Sequence, residues 1–225
     1  PGAIIECLKI CNDLPAPVVM ELLESHDNVN VRVACLKKIG KHDKTVARKF
    51  LKESEHDYVL CWCLDGLGDE AKPMAKRLVR RPREFQLICK CLRLIGKEGR
   101  DDAEYLLRTS DDSRVLIASL RTLGRSAAKP YARVLLERVV DGHLDSLVAA
   151  RCIQILGVSA KPAARELIKR DEKTEVLIAC IDVLGDEQLD RIQQIAQTTK
   201  NSNVVHKCLE HLQVRGVDVA REWKF

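Results

Sequence analysis

The stretch VLIASLRTLG, residues 115–124, returns with few changes as VLIACIDVLG at residues 176–185 and as VRVACLKKIG at residues 31–40. Each copy ends in a glycine, which we call the mark of its repeat. Glycines preceded by a similar apolar pattern are Gly40, Gly68, Gly96, Gly124, Gly157 and Gly185. Successive steps between them are 28, 28, 28, 33 and 28 residues. One further step to each side reaches Asn12 and Gln213, so eight copies fit the chain of 225 residues.

Apolar residues recur at fixed distances before each of these eight marks. The clearest column, four residues before the mark, is Leu8, Leu36, Leu64, Leu92, Leu120, Ile153, Ile181 and Leu209. Similar columns lie one, five, eight and nine residues before it. This spacing follows the period of an α-helix, so each repeat opens with an amphipathic helix. The glycine is predicted to end it, because a left-handed backbone costs glycine least.

A second helix is predicted to begin about five residues after each mark. Prolines typical of a first helical turn stand there: Pro17, Pro73, Pro130 and Pro162. Small or apolar residues then recur at helical spacing: Ala47, Phe50, Leu51, Ala75, Leu78, Val79, Ala103, Leu106, Leu107, Ala164, Leu167 and Ile168. Two short helices cannot bury these faces alone, but stacked copies can. The predicted fold is all-α, a right-handed α-solenoid of about eight 28-residue helix-turn-helix repeats.

The pattern resembles the HEAT-like family of short helical repeats. The stretch VRVACLKKIG followed by VARKFLKES, residues 46–54, has the family's usual placement of valine-arginine, alanine, leucine and glycine. The resemblance implies one domain over residues 1–225, with repeats at 1–28, 29–57, 58–83, 84–112, 113–145, 146–173, 174–203 and 204–225. Members of the family chiefly bind proteins, whereas a few bind nucleic acid or modify bases and others are bilin lyases. The start at Pro1, without Met, is typical of a piece of a longer protein.

Composition narrows the class of protein. Hydrophobic residues make up 46% and charged residues 32%, which is typical of a folded, soluble chain. The absence of an apolar run of about eighteen residues predicts no membrane insertion. A net charge of +5 permits an acidic partner without requiring one.

Seven of the ten cysteines share the column five residues before the mark, and Ser119 takes the eighth place. They are Cys7, Cys35, Cys63, Cys91, Cys152, Cys180 and Cys208. Neighbours in this column lie a repeat apart, about 9–10 Å. A disulfide needs α-carbons within about 7 Å, and zinc holds sulfur at about 2.3 Å. We therefore expect buried free thiols, no metal site and a reducing compartment, either cytoplasmic or nuclear.

No catalytic motif is present. The chain lacks HExxH, a P-loop, GxSxG and a nucleotide-type glycine fingerprint. We therefore predict that it is not an enzyme and uses no cofactor, and no small-molecule substrate is evident. An enzyme of a HEAT-like type, whose site this pattern does not reveal, stays an alternative.

Basic residues recur on the predicted second helices. We consider the positions four, eight and twelve residues past the mark in repeats two to six, counted one residue later in repeat five. Thirteen of these fifteen residues are basic. These thirteen, which we call the basic ridge, are Lys44, Arg48, Lys52, Lys72, Lys76, Arg80, Arg100, Arg108, Lys129, Arg133, Lys161, Arg165 and Lys169. They point about 120° from the apolar stripe, onto an exposed flank. The family resemblance implies that second helices line a concave face.

The basic ridge predicts binding to an acidic segment or tail of a partner protein. Binding to nucleic-acid phosphates through the same residues is the alternative. Single-strand binders interleave aromatic side chains with basic ones, and here only Tyr105 and Tyr131 lie near the ridge. A lysine pattern that persists through repeat duplication, without a function, is a third interpretation. Trp62 is expected in the groove between repeats or, alternatively, as an exposed anchor.

The 33-residue step adds about four residues around Asp141-Gly142-His143-Leu144-Asp145. Polar residues with a glycine indicate an exposed turn. The turn is either a second binding site or a tolerated loop extension.

Overall fold

The computed structural model describes most of the chain, namely residues 1–11, 14–39, 43–170 and 173–214. All regular secondary structure in these ranges is helical, which confirms the all-α class. The chain divides into two compact units, Pro1–Leu106 and Leu107–Phe225.

The first unit is a series of short helices that pack on their neighbours in sequence. They are α1 (Gly2–Ile10), α2 (Ala16–Ser25), α3 (Val29–Ile39), α4 (Lys44–Glu53), α5 (Asp57–Leu67), α6 (Lys72–Leu78), α7 (Phe85–Ile95) and the start of α8 (Arg100–Thr109). The first helices of the predicted repeats contact one another in order, α1 with α3, α3 with α5 and α5 with α7. Each of the second helices α2, α4 and α6 packs against the first helix that follows it.

The second unit has the same arrangement of neighbours. Its helices are α9 (Ser113–Val140), α10 (Leu147–Leu156), α11 (Lys161–Arg170), α12 (Thr174–Leu184), α13 (Leu189–Thr198) and α14 (Ser202–Val214). Helix α10 contacts α9 and α12, and α12 contacts α14. The second helices α11 and α13 pack against α12 and α14 respectively. Short helices are therefore stabilised by packing on their neighbours, since helices of this length are marginal alone.

The predicted apolar columns form the core of both units. In the column four residues before the mark, every member is buried except Leu209, which is half-buried. Every apolar residue predicted to face inward from a second helix is also buried. Ala3 and Cys11 of the first repeat, by contrast, are exposed. Trp62 is only 7% exposed, so it packs in the core and is not an exposed anchor.

Glycine ends four of the first helices with one shared geometry. Gly68, Gly96, Gly157 and Gly185 have φ between 46° and 60° and ψ between −121° and −135°. The positive φ confirms the prediction, although the ψ values lie outside the αL well in a region that only glycine adopts readily. In each case the glycine N–H donates to the carbonyl four residues earlier.

A 3₁₀ turn then carries the chain directly into the second helix. These turns are Gly68–Ala71, Gly96–Gly99, Gly157–Ala160 and Gly185–Gln188. Pro17, Pro73 and Pro162 occupy the second residue of α2, α6 and α11, which confirms their predicted place in a first turn.

Helix α9 differs at this junction. Gly124 has φ 71° and ψ 168°, which kinks the helix, and α-helical structure continues from the next residue to Val140. Pro130 therefore lies inside a helix, and its predicted place in a first turn is wrong. The residues after Gly124 are Arg125, Ser126, Ala127 and Ala128. Alanine and arginine favour helix, so an α-helical turn forms here where the other junctions have a 3₁₀ turn.

Six members of the cysteine column are buried: Cys35, Cys63, Cys91, Cys152, Cys180 and Cys208. Burial raises the pKa of Cys63, Cys91 and Cys152 to about 12, so these thiols stay protonated at neutral pH. Cys7 departs from the prediction because it is exposed.

One stretch, Leu147–Arg170, is long and apolar enough to cross a membrane. It consists of α10 and α11, separated by the bend at Gly157. Most of its apolar residues pack in the core of the second unit, while Leu147 and Val158 are exposed. Length and composition alone are weak evidence for a span, since a core helix meets the same criteria. The absence of membrane insertion stays a prediction.

Replacing Gly96 with alanine should lower the free energy of unfolding by about 1–3 kcal/mol, because a side chain strains the backbone at φ 60°. Chemical denaturation measures the change. Gly2→Ala is the matched control, because neither site has another atom within 4 Å of an added Cβ and only Gly96 has a positive φ. Equal effects of the two substitutions would contradict a conformational role for Gly96.

Replacing Ser119 with cysteine should raise the free energy of unfolding by about 1 kcal/mol. Ser119 is fully buried in the cysteine column, and its hydroxyl has no hydrogen-bond partner. Cys152→Ser, at the equivalent position of the next repeat, should lower stability by a similar amount. A neutral result for both variants would show that this column accepts a hydroxyl without cost.

Candidate functional site

Twelve of the thirteen residues of the basic ridge lie on second helices, as predicted, whereas Arg80 lies in the turn two residues after α6 ends. The first unit carries Lys44, Arg48, Lys52, Lys72, Lys76, Arg80 and Arg100, and the second carries Arg108, Lys129, Arg133, Lys161, Arg165 and Lys169. All are exposed except Lys72 and Lys161, which are half-buried. The apolar stripe of each helix turns inward to the core, and this leaves the basic residues on the solvent side.

Two ridge residues of α4 share a single carboxylate. Lys44 and Arg48 lie one helical turn apart, and their nitrogens reach the two oxygens of Glu70 at 2.6 and 2.7 Å. Glu70 belongs to the 3₁₀ turn of the next hairpin, two residues after Gly68. Hydrogen bonds from Lys44 and Arg48 lower the pKa of Glu70 below its ordinary value. We call this arrangement, two basic residues one turn apart that hold the glutamate of the next turn, a carboxylate clamp.

A second clamp in the first unit is formed by α6. Lys72 and Lys76 contact Glu98, which lies two residues after Gly96, at 3.9 and 2.9 Å. The hydrogen bond and charge of Lys76, with the charge of Lys72, lower the pKa of Glu98. Lys72 also pairs with Asp69 at 3.1 Å.

A third clamp is formed by α11 in the second unit. Lys161 and Arg165 each contact Glu187, two residues after Gly185, at 2.5 Å. Hydrogen bonds from both lower the pKa of Glu187. The clamps thus join one hairpin to the next inside each unit. Six ridge residues therefore have a structural role.

Four further ridge residues also have partners among the described residues. The pairs are Arg80 with the buried Asp102 at 2.5 Å, Arg100 with Glu104 at 3.1 Å, Lys169 with Glu166 at 3.3 Å, and Arg108 with the hydroxyl of Tyr131 at 3.1 Å. The remaining three, Lys52, Lys129 and Arg133, are exposed and form no ion pair with any described residue. The ridge therefore divides into paired cations and this small unpaired set.

Sequence reasoning missed the clamp glutamates. Glu70, Glu98 and Glu187 each stand two residues past a glycine mark, and each follows a helix with basic residues four and eight past its own mark. This coincidence of columns is visible in the sequence. Helical spacing does not predict the pairing, because the glutamates lie 22 to 26 residues from their partners.

Two grooves open beside the ridge at equivalent places in the two units. In the first unit a groove of about 250 Å³ is lined by Arg48, Lys52, Glu70 and Met74 among others. In the second unit a groove of about 570 Å³ is lined by Arg133, Leu136, Glu137, Val140, Asp141, Leu156, Ser159, Ala160, Pro162, Ala163 and Glu166. Each groove lies between a second helix and the turn and second helix of the next hairpin.

The inserted segment forms an exposed turn, as predicted. Gly142 has φ 81°, and the N–H of His143 donates to the carbonyl of Arg138 at 2.8 Å. Asp145 accepts from the N–H of Leu147 at 2.8 Å and pairs with Lys173 at 2.9 Å. These contacts lower the pKa of Asp145, with the Lys173 hydrogen bond the larger cause. Asp145 therefore anchors the turn, while a binding role for the turn stays untested.

Among the described residues, no group of three or more histidine, cysteine, aspartate or glutamate side chains could hold a metal ion. Comparisons of the chain with models of known protein families, with curated proteins and with solved structures find no match. The HEAT-like resemblance therefore depends on the sequence columns alone.

The clamps make stability depend on acid pH. The pKa of Glu98 and of Glu187 is lower in the folded chain than the ordinary value of 4.5, so their ion pairs stabilise the fold above that pH. This stabilisation is lost as pH falls through the folded pKa. Thermal unfolding between pH 7 and pH 3 should show a smaller acid-induced fall in Tm for the Glu98→Gln, Glu187→Gln variant than for the parent.

The control for this measurement is Glu21→Gln, Glu55→Gln, which removes two exposed carboxylates that form no ion pair with a described residue. It should keep the pH dependence of the parent. Parallel Tm curves for all three proteins would show that the clamps do not contribute.

Proposed function

We propose that this chain is a non-enzymatic scaffold of HEAT-like repeats that binds an acidic segment of a partner protein through the basic ridge. The observation that carries the proposal is the unequal pairing of charges on the second helices. The clamps at Glu70 and Glu187 each set two cations against one glutamate, and Lys52, Lys129 and Arg133 have no carboxylate partner among the described residues. An exposed surface with surplus positive charge favours an anionic partner.

The proposal includes a right-handed α-solenoid of about eight repeats, with the second helices on a concave face. It is supported within each unit by first helices that contact one another in chain order. The recurring unit of helix, glycine and 3₁₀ turn supports it further, because identical junctions give successive hairpins similar rotations.

The three clamps favour a carboxylate ligand over a phosphate. In these clamps the chain itself places glutamate against a pair of basic residues one turn apart. Aromatic side chains that could stack on bases are scarce beside the ridge, since Trp62 is buried and Tyr131 is half-buried. Tyr105, which is 50% exposed, is the nearest candidate. An acidic protein segment requires charge and shape without such stacking.

The test compares two triple variants that remove the same number of positive charges. Lys52→Gln, Lys129→Gln, Arg133→Gln takes away the unpaired cations, whereas Lys72→Gln, Lys76→Gln, Arg80→Gln takes away cations that already have partners. Binding of a short peptide of alternating glutamate and alanine is measured by calorimetry. The first variant should weaken binding about tenfold and the second about twofold or less.

The same titration with a short DNA duplex and with single-stranded RNA, over a range of salt concentrations, separates the two candidate partners. Equal losses in both triple variants would mean that net charge alone attracts the peptide. Nucleic acid that binds more tightly than the peptide, with a steep dependence on salt, would replace the proposed function by phosphate binding.

A further inference from the structure

One junction has the basic pair of a clamp without its glutamate. Lys129 and Arg133 lie four residues apart on α9, as Lys161 and Arg165 do on α11. Both are exposed, and neither forms an ion pair with a described residue.

The residue that would complete this clamp is Ser159. It lies in the 3₁₀ turn Gly157–Ala160, two residues after the glycine, which is the place that Glu187 takes in the turn Gly185–Gln188. Ser159 is exposed and brings no negative charge to the two cations. The three other clamps show which chemical group this position holds elsewhere in the chain, a carboxylate.

The surrounding groove is open at this same point. Arg133 and Ser159 both line the groove of about 570 Å³ in the second unit. The equivalent groove of the first unit is about 250 Å³ and includes the clamped glutamate Glu70 and the bulky Met74, where the larger groove has serine and Ala163. Small side chains at these two places leave room for a side chain from outside.

We propose that Lys129, Arg133 and Ser159 form an open clamp that binds a glutamate or aspartate side chain of the acidic partner segment. The partner's carboxylate takes the position that Glu70, Glu98 and Glu187 occupy in the closed clamps, and the Ser159 hydroxyl is placed to donate to it. This inference rests on the proposed function and assigns its binding point.

The carboxylates of the groove limit which segment fits. Glu137, Asp141 and Glu166 also line the groove, and of these only Glu166 has a basic partner, Lys169, among the pairs described above. These carboxylates repel further negative charge. The bound segment therefore has an acidic residue beside Arg133 and a neutral or basic residue beside Glu137.

The deciding experiment introduces a glutamate of the chain itself at position 159. In Ser159→Glu, the new carboxylate pairs with Lys129 and Arg133 and competes with the ligand, so affinity for the glutamate-alanine peptide should fall about tenfold. Ser159→Gln has the same size without the charge and should change affinity less than twofold. Gln197→Glu adds the same charge at an exposed position of α13, away from the groove, and should also have little effect.

A second measurement shows whether the clamp closes. Ser159→Glu should raise Tm, and the increase should disappear when Arg133→Gln is added. Conversely, Glu187→Ser frees Lys161 and Arg165 and should add a second peptide site by calorimetric stoichiometry.

The outcomes separate this inference from the function on which it rests. If Ser159→Glu raises Tm but leaves peptide affinity unchanged, the peptide binds elsewhere and the open clamp is wrong while the proposed function stands. If Ser159→Glu and Gln197→Glu weaken binding equally, the effect is general repulsion and the open clamp is again wrong. If the parent chain binds no peptide at all, the proposed function itself fails and the clamp has no partner of this kind.

Discussion

The structure depends on the burial of one narrow apolar stripe per short helix. A helix of about ten residues is marginal in water, so each gains its stability from the neighbours that cover its stripe. In both units those neighbours are the preceding and following hairpins. Glycine makes this possible, because the backbone at Gly68 and its equivalents turns sharply enough to bring the second helix back against the next first helix. Only the solvent-facing side of each second helix is left for charges.

The clamps add specificity to this packing. Exposed ion pairs contribute little to stability, but a glutamate held by two cations from the preceding helix fixes how one hairpin sits on the next. Glu70 and Glu187 occupy the same place in different units and are held by the same pattern of residues. In the open clamp that we propose, serine stands at position 159 where the closed clamps have glutamate, so the same contact is offered to another molecule.

Much of the fold could be predicted from sequence, because its decisive features are periodic and local. The glycine column, the buried stripes and the buried cysteines follow from helical spacing alone. The predicted place of Pro130 in a first helical turn is wrong because the helix-forming residues after Gly124 form an α-helical turn where other junctions have a 3₁₀ turn. The division of the ridge into paired and unpaired cations was also missed. It depends on contacts between residues more than twenty positions apart, whose distances are set by hairpin packing and not by spacing within a helix.

The distribution of cysteines has a practical consequence. Hairpins of both units carry a buried thiol at one equivalent place, as at Cys63 and Cys91 in one unit and Cys152 and Cys180 in the other. Burial raises the pKa of Cys63, Cys91 and Cys152 and keeps these three thiols protonated. Alkylating reagents attack the thiolate, which forms only when water reaches the sulfur. The alkylation rate of each cysteine therefore reports how often its own hairpin opens locally. Mass spectrometry of alkylated fragments could rank the hairpins by how often they open, without any engineered label.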